Sequence, residues 1–337
     1  MEIIKKSAPQ YKANLHCHST NSDGKLTPAE LKAAYKANGY SVLCITDHEY
    51  PYDHSEMTEN DFLMLTGYEA YIRKFENAVG EPYTPEIHIN LIAKEPGNLA
   101  YVCWNDAYCK YVKDPEKRAA IKKVGSQETR RYDVEYINSF LKCAKENGYL
   151  CTHNHPVWSL EEWDMIEKYE GFFSMEMCNW SSYLINGQEY NSVLYDHLSM
   201  SGKRIFCHSA DDNHNNEPLD APESDSFGGF TMILAEELNY PSVIDALEKG
   251  NFYSSMGPVI KYFAIEDGKI KVECDGAKAI IIHLGSRRTL RTYATANAPL
   301  FTAEFNLPER YGYIRLEVVD FEGRHADTRA VYPEEIA

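Results

Sequence analysis

One pattern recurs three times in the 337-residue sequence: a helical segment, a glycine, a short apolar run, and then a polar cluster rich in histidine and aspartate. The capping box of Thr27 and Glu30 predicts where the first helix begins, and Gly39 predicts where it ends. The helices are predicted over 28–37, 132–146 and 190–200, and the polar clusters that close the units are Asp47-His48, His153 to His155, and Asp211 to His214. Helix–strand units of this kind predict an α/β fold with parallel strands, in which functional residues gather at the carboxyl ends of the strands.

Histidines are concentrated where this pattern predicts a site. Ten of the twelve lie between His16 and His214. Two further predicted strands add polar residues, because 62–66 leads to Glu69 and 86–93 contains His88. Imidazole nitrogens and carboxylate oxygens together suit zinc, manganese or iron, and residues i and i+2 of an extended strand point to the same side. So many ligands predict two or three divalent metal ions bridged by a carboxylate, rather than one ion.

The ordered motifs HxH, SDG, TDH, GxE, a histidine within a strand, NHP and DxH resemble those of the PHP (polymerase and histidinol phosphatase) family. The resemblance covers about residues 8–258. It implies a distorted (β/α)7 TIM-like barrel with a trinuclear metal centre. Transferred position by position, it implies three groups of ligands: His16, His18, Glu69 and Asp212 for the first ion; Glu69, His88 and His155 for the second; and Asp23, His48 and His214 for the third.

For two of these ligands, an adjacent or nearby residue of the same type is a second candidate. Asp212 is preferred to Asp211 because it has the DxH spacing, and His155 is preferred to His153 because it precedes Pro156. We therefore expect His153 to face the substrate or to donate a proton to the leaving group, for which a water bound to metal is the other candidate. Asp47 is expected to orient a ligand histidine instead of binding metal. Three further histidines, His54, His197 and His208, are expected to be structural or solvated.

The resemblance implies phosphoester hydrolysis, in which a hydroxide bridging the metal ions attacks phosphorus. The same metal-binding barrel could instead carry an amidohydrolase or carboxylic esterase activity. A third hypothesis is a metal-binding interaction module without catalysis. The expected substrate is a small organic phosphate or a nucleotide.

Charge limits the partners. The net charge of −17 argues against bulk nucleic-acid or anionic-membrane binding, since phosphate backbones are held by lysine and arginine. One stretch, 110–131, is locally basic and lies in an insertion of about 94–131, from which Arg130 and Arg131 are predicted to bind a substrate phosphate. No apolar run reaches the ~18–20 residues of a membrane span, and residues 1–10 lack the apolar stretch of a secretory signal, so a cytoplasmic protein is expected. The nine scattered cysteines are expected to be unpaired thiols.

The pattern changes after residue 258. Short β-rich runs at 269–274, 279–284, 301–307 and 313–319 are separated by Asp-Gly, Gly-Ser and Glu-Gly turns. They predict two domains: the metal-binding barrel over 1–258, and over 259–337 a small C-terminal antiparallel β-sandwich without metal ligands.

Overall fold

The computed structural model describes residues 1–75, 83–295 and 298–336. Within these ranges the strands are β1 (Glu2–Ile4), β2 (Tyr11–Asn14), β3 (Val42–Ile45), β4 (Leu63–Arg73), β5 (Glu86–Ala93), β6 (Ala100–Val102), β7 (Lys122–Val124), β8 (Tyr149–Asn154), β9 (Phe172–Asn179), β10 (Phe206–Ala210), β11 (Phe230–Ile233), β12 (Phe252–Ser255), β13 (Ile260–Glu266), β14 (Lys269–Ala277), β15 (Ala279–His283), β16 (Thr289–Tyr293), β17 (Leu300–Asn306), β18 (Arg315–Val319) and β19 (His325–Thr328). The helices are α1 (Pro28–Ala37), α2 (Pro115–Ala120), α3 (Val134–Glu146), α4 (Trp163–Ile166), α5 (Trp180–Asn186), α6 (Ser192–Met200), α7 (Tyr240–Lys249) and α8 (Pro333–Ile336). The architecture is mixed α/β with large sheets.

The three helices of the repeated pattern form where the sequence predicts them. The backbone N–H of Glu30 donates to Thr27 Oγ1 at 3.3 Å and the Thr27 N–H donates to Glu30 Oε2 at 2.8 Å, which completes the predicted capping box of α1. Both α3 and α6 begin two residues later than predicted. For α3 the reason is Asp133, whose carboxylate accepts the N–H of Tyr136 and so acts as the N-cap.

The metal-ligand candidates lie on a sheet whose strand order is β10-β9-β8-β5-β4-β3-β2-β11-β12-β19-β18-β15-β16. Neighbouring strands are parallel from β2 to β4 and from β8 to β10, whereas β5 runs antiparallel to both β4 and β8. The segments following β2 and β10 meet, since the N–H of Asp212 donates to the His16 carbonyl at 2.9 Å and the N–H of His18 donates to the Asn213 carbonyl at 3.1 Å. The (β/α)7 barrel stays a prediction, but its expected clustering of strand ends is present.

Helices cover this sheet with their apolar faces. Ile137, Phe140 and Leu141 of α3 are fully buried in one cluster with side chains of β5 and β8. On α7, Val243 and Leu247 are buried against β3, β4 and β11 in another. Each such side chain stabilises the fold by roughly 1.5–3 kcal/mol, so the strands that present the candidate ligands are rigidly supported.

The C-terminal strands form two antiparallel layers around a shared apolar core that includes Val272, Ile280 and Leu316. The predicted β-rich runs correspond to β14, β15, β17 and β18, while β13, β16 and β19 were not predicted. Neither layer is confined to the residues after 258, because β1 pairs with β13, and β19 pairs with β12. These strands therefore continue the hydrogen bonding of the preceding sheet, and the boundary at 258 stays a prediction.

Two simpler expectations concern the cysteines and the membrane. All nine cysteines lie in the described ranges and carry free thiols, as predicted. None of the helices described is both long and apolar enough to cross a lipid bilayer.

Candidate metal centre

The nine predicted ligands lie in strands or in the turns at strand ends. They are His16 and His18 after β2, Asp23 before α1, His48 after β3, Glu69 in β4, His88 in β5, His155 after β8, and Asp212 and His214 after β10. The turn from His18 to Asp23 depends on Gly24, where a Cβ would lie only 2.3 Å from the His18 carbonyl oxygen. Chain segments far apart in sequence thus converge at one edge of the sheet.

Four overlapping groups of side chains have ligand atoms within 4.8 Å of one another. They are His16, His18 and Glu69; His16, His155 and Asp212; Glu69, His88 and His155; and His18, Asp23, His48 and His214. These groups contain all nine predicted ligands and, in the part of the chain that the structure describes, no other residue. Because the groups share members, the cluster is one continuous centre.

Glu69 lies in the middle of this cluster and is almost completely buried. Its Oε1 lies 3.1 Å from His88 Nδ1, 3.2 Å from His16 Nε2 and 3.5 Å from His155 Nε2, and its Oε2 lies 3.1 Å from His48 Nδ1 and 3.5 Å from His18 Nε2. The two oxygens of one carboxylate therefore face different sets of imidazoles. This is the arrangement that a bridging ligand needs.

Asp212, rather than Asp211, faces the cluster. Its Oδ1 lies 3.0 Å from both His16 Nε2 and His18 Nε2. Asp211 instead accepts backbone N–H groups of residues 227–229 at 2.8–3.0 Å, so its carboxylate holds a neighbouring loop. The left-handed backbone of Asp212, with φ of 54°, turns the two consecutive aspartates in different directions.

The group around Asp23 is more open to solvent. Asp23 Oδ1 lies 3.5 Å from His214 Nε2 and 3.8 Å from His18 Nδ1, and its Oδ2 lies 3.5 Å from His48 Nε2. The Tyr111 hydroxyl donates to Asp23 Oδ2 at 3.2 Å. The Asp23 side chain is 35% exposed, compared with 1% for Glu69, so a cation held here would be reached more easily from solvent.

Electrostatics within the cluster favour the charged forms of His16 and Glu69 despite their burial, and the neutral form of His18. Burial lowers the pKa of His16, but Asp212, Glu69 and Glu176 outweigh it and hold that pKa well above its usual value. Burial also opposes ionisation of Glu69, whereas the adjacent His88 and His16 keep the Glu69 pKa well below its usual value. Burial and the adjacent His214 and His48 lower the pKa of His18 to about 4. A cation entering the cluster would displace protons from the histidines, so its binding releases protons.

Several ligand atoms lack hydrogen bonds although they are buried. Within the described residues, His18 Nδ1, Asp23 Oδ1 and Asp212 Oδ1 have no hydrogen-bond partner. Buried polar atoms are normally satisfied, and unsatisfied ones cost about 1–3 kcal/mol each. Imidazole nitrogens and carboxylate oxygens that face one another, some of them without a hydrogen bond, are suitable ligands for divalent metal ions. Zinc, manganese and iron are the ions that this combination of ligand atoms fits.

Glu176 of β9 was not identified from the sequence, yet it holds this cluster together. Its Oε1 lies 2.8 Å from His16 Nδ1, and its Oε2 accepts the backbone N–H of His155 at 2.8 Å. The Asn179 amide donates to Glu176 Oε2 at 2.9 Å and to Asp212 Oδ2 at 3.2 Å. The only sequence signal is an acidic residue within an apolar strand, which does not show what that residue contacts.

Asp47 supports the site in a different way from the one predicted. Its carboxylate accepts the Ser19 N–H at 2.8 Å and the hydroxyls of Ser19 and Ser22 at 2.6 Å. Asp47 therefore holds the turn that leads to Asp23, and the expectation that it orients an imidazole is corrected.

His153 is not brought to the cluster. It lies on β8 one residue before Asn154, whose amide donates to Glu69 Oε1 at 2.9 Å, and successive residues of a strand point to opposite faces. The His153 Nε2 lies 2.7 Å from Glu161 Oε1, and its ring stacks on Phe172. The predicted role of His153 as proton donor or substrate contact at the metal centre does not fit this position.

Arg130 and Arg131 are also absent from the site. The Arg130 guanidinium is buried and donates to both carboxylate oxygens of Glu49, at 2.6 and 2.8 Å. Arg131 is half exposed and donates to Asp133 at 3.2 Å. A guanidinium already paired inside the protein is not available for a substrate phosphate, so the expected clamp by these two residues is corrected.

A cavity of about 420 Å³ opens over the candidate ligands. Beyond those ligands, its wall includes two cations, Arg73 and Lys110, and the aromatic residues Tyr71, Tyr108, Tyr111 and Trp158. Tyr108, Lys110 and Tyr111 come from the insertion predicted at about 94–131. The insertion thus reaches the cavity, although through residues other than the two arginines predicted.

Comparison with known proteins confirms the resemblance to the PHP family that the motifs indicate. Residues 14–175 match the family model of the PHP domain. A curated 5'-3' exoribonuclease of Haemophilus influenzae is 53% identical over 38 residues, which are 11% of this chain and only 14% of that protein. The aligned part of that relative is therefore short.

Solved structures of similar proteins share low identity with this chain. A two-domain protein from Bacteroides vulgatus containing a predicted PHP-like metal-dependent phosphoesterase matches with a TM-score of 0.46 and 12% identity, over 94% of this chain and 92% of its own. A candidate metal-dependent phosphoesterase from Bifidobacterium adolescentis matches with a TM-score of 0.36 and 14% identity, over 65% and 93%. An amidohydrolase from Chromobacterium violaceum, solved with sulfate and without metal, matches with a TM-score of 0.37 and 16% identity, over 60% and 87%.

Proposed function

We propose, on the premise that residues 14–175 form a PHP domain, that this protein is a metal-dependent phosphoesterase acting on a small organic phosphate or nucleotide. The observation that carries the proposal is the position of Glu69 between two sets of imidazoles at the base of a cavity. A carboxylate with this environment is suited to bridging two cations. Phosphoester hydrolysis uses such pairs because charge develops on both the attacking and the leaving oxygen.

The proposed ligand sets are those that the family resemblance implies, and of the three only Glu69, His88 and His155 coincides with one of the four groups. His16, His18, Glu69 and Asp212 would hold one ion, Glu69, His88 and His155 a second, and Asp23, His48 and His214 a third. When bound, divalent zinc, manganese or iron ions supply Lewis acidity and lower the pKa of water towards neutrality. The side chains of these three sets would hold the ions in place.

The charge of the cavity limits what can enter it. Asp23, Glu69 and Asp212 line its base and would repel an anion, so a phosphate is accepted only where cations offset them. Lys110 and Arg73 supply positive charge on the wall. Arg73 is paired with Glu86, whereas the Lys110 side chain is exposed at the mouth, so Lys110 is the group we assign to the substrate phosphate.

The rest of the substrate would lie against aromatic side chains. The Tyr111 ring stacks against His48 with centroids 6.2 Å apart, and the Trp158 ring meets His88 and His155 edge-on. A cavity of about 420 Å³ is at the small end for organic ligands and fits a mononucleotide or sugar phosphate rather than a polymer segment. The name of the Haemophilus influenzae relative supports including short RNA with a 5' end among the substrates tested.

The test is metal analysis of the purified protein followed by assays with phosphomonoesters, phosphodiesters, short RNA, nucleotides, carboxylic esters and amides. We expect two or three divalent ions per chain and phosphate release from at least one phosphate ester. Glu69→Gln should lose bound metal and phosphate release together, whereas Glu56→Gln, at an exposed position, should retain both. Metal-loaded protein that hydrolyses amides or carboxylic esters but no phosphoester would contradict the proposal, as would full activity of Glu69→Gln.

A further inference from the structure

The insertion predicted at about 94–131 reaches one of the four ligand groups through Tyr111. The Tyr111 hydroxyl donates to Asp23 Oδ2 at 3.2 Å. Its ring lies nearly parallel to the His48 ring, with centroids 6.2 Å apart and an angle of 17° between the planes. Asp23 and His48 belong to the same group, together with His18 and His214. One residue outside the nine candidate ligands thus lies against two members of one group.

This group, which we call the Asp23 group, is the most exposed part of the metal centre. The side chains of Asp23, His214 and His48 are 35%, 25% and 15% exposed, whereas those of Glu69 and His16 are at most 1% exposed. Exposed side chains lose more conformational freedom when they bind an ion than side chains that packing already fixes. Ligands of the Asp23 group therefore depend more on partners that orient them.

The hydrogen bond from Tyr111 orients the Asp23 carboxylate. Asp23 Oδ1 is buried, has no hydrogen-bond partner among the described residues, and lies 3.5 Å from His214 Nε2 and 3.8 Å from His18 Nδ1. Tyr111 donates to the other oxygen and so leaves Oδ1 directed at these two imidazoles. Hydrogen-bond partners of this kind hold ligand carboxylates in the orientation that a metal ion needs.

The insertion is attached beside His48 at two points, so this tyrosine has a fixed place. Val112, the next residue, is buried in a small apolar cluster against which Tyr50 packs. At the other end of the insertion, the Arg130 guanidinium pairs with Glu49. Glu49 and Tyr50 directly follow His48 in the sequence. The insertion and the segment that carries this ligand are therefore held together.

We propose that Tyr111 is a positioning residue for a divalent cation in the Asp23 group. Its hydroxyl orients Asp23 and its ring covers His48, so retention of this ion depends on the insertion. The inference rests on the proposed function, because it requires that the ligand groups bind divalent cations. It adds an order of affinity: the ion in the Asp23 group is the most weakly held, and it is the one that Tyr111 controls.

The experiment is a titration of the metal-free, full-length protein with zinc in competition with a chromophoric chelator. We expect three bound zinc ions, the third of them the weakest. Tyr111→Phe keeps the ring and removes the hydrogen bond, so it should weaken the third ion by roughly 10- to 100-fold and leave the two tighter ions unchanged. Tyr111→Ala also removes the ring and should weaken the third ion further. Tyr83→Phe, at a position that is 85% exposed, is the control and should match the unmodified protein.

A second variant identifies which ion is affected. Asp23→Asn should lose the weakest zinc ion, and adding Tyr111→Phe to it should cause no further loss, because the two residues act through one contact. Equal thermal unfolding of the metal-free proteins would show that the variants are folded.

Three results would overturn the inference: unchanged affinity for the third ion in Tyr111→Phe, equal weakening of all three ions, or only two ions in the unmodified protein. Each of them leaves the phosphoesterase proposal standing, because that proposal needs only the two ions that Glu69 bridges. A protein that binds no zinc at all would contradict both.

Discussion

The Glu176 carboxylate lies 2.8 Å from His16 Nδ1, and both side chains are completely inaccessible to solvent. This contact fixes the tautomer of the imidazole, because a carboxylate accepts the Nδ1 proton and leaves Nε2 as the ligand atom. The other Glu176 oxygen holds the backbone of His155, where φ is 25°. One carboxylate thus orients two candidate ligands from different strands.

Glu176→Gln should therefore weaken metal binding by roughly 10- to 100-fold without removing a ligand. The amide can donate where the carboxylate accepted, so the His16 ring loses its fixed tautomer and His155 loses part of its backbone support. Competition with a chromophoric chelator measures the affinity. Asp327→Asn is the matched control, since Asp327 is equally buried but contacts Arg315 and Tyr190, and it should leave the affinity unchanged. Equal metal affinity in Glu176→Gln and the unmodified protein would disprove this positioning role.

Arg130 and its neighbour Arg131 offer a direct comparison of a buried with an exposed arginine. Arg130→Met leaves the Glu49 carboxylate unpaired in the interior and should destabilise the protein by about 3–5 kcal/mol. The double variant Glu49→Gln with Arg130→Met should recover much of this loss, because no charge then stays buried without a partner. Arg131→Met should change stability by less than about 0.5 kcal/mol. Urea unfolding measures all three, and equal effects of the two arginine variants would contradict the argument.

The part of the site that the sequence predicts is the part that depends on residues close together in the chain. His16 and His18 are two residues apart in an extended segment, so short-range geometry already indicates that this pair can meet one ion. The chemistry of imidazole and carboxylate then limits the partner to a divalent metal. All nine residues that the resemblance to the PHP family implies as ligands lie in one cluster.

The errors concern contacts between residues distant in sequence. The partner of Arg130 is Glu49, 81 positions away, and nothing near either residue reveals the pair. His153 was misplaced because its side-chain direction depends on where β8 ends relative to His155. The alternation of apolar and polar residues located most of the C-terminal strands. The pairing of β19 with β12 joins strands that are far apart in sequence, and local patterns do not encode it.

Lys110 should control substrate affinity more than turnover. A charged hydrogen bond to phosphate contributes about 1.5–3 kcal/mol, so Lys110→Gln should raise KM for a phosphate ester roughly tenfold while changing kcat less than about twofold. Added salt should raise KM in the unmodified protein more than in the variant, because the charge interaction is screened. Lys113→Gln is the control, since Lys113 is exposed in the same insertion but does not line the cavity. A fall in kcat with unchanged KM would instead place Lys110 in the chemical step.

His208 should make the protein sensitive to acid. Its Nδ1 lies 2.8 Å from the Ser174 hydroxyl, and burial lowers its pKa to about 4, against a contrary effect of Glu176. The unfolded chain therefore takes up a proton near the usual histidine pKa of about 6.5 while the folded chain does not. Because only the unfolded chain takes up this proton, the free energy of unfolding is highest above about pH 6.5 and decreases as the pH falls towards 4. The decrease reaches about 2 kcal/mol at pH 5.

His208→Gln cannot titrate and should lose about 2 kcal/mol less than the unmodified protein between pH 7.5 and pH 5. Urea unfolding at the two pH values measures this difference, and a chelator in every sample excludes metal release from the neighbouring centre as its cause. Gln keeps a hydrogen-bonding group for Ser174, so the comparison isolates the charge. The same pH-dependent loss in both proteins would show that His208 is not the residue responsible, because the remaining histidines are common to both.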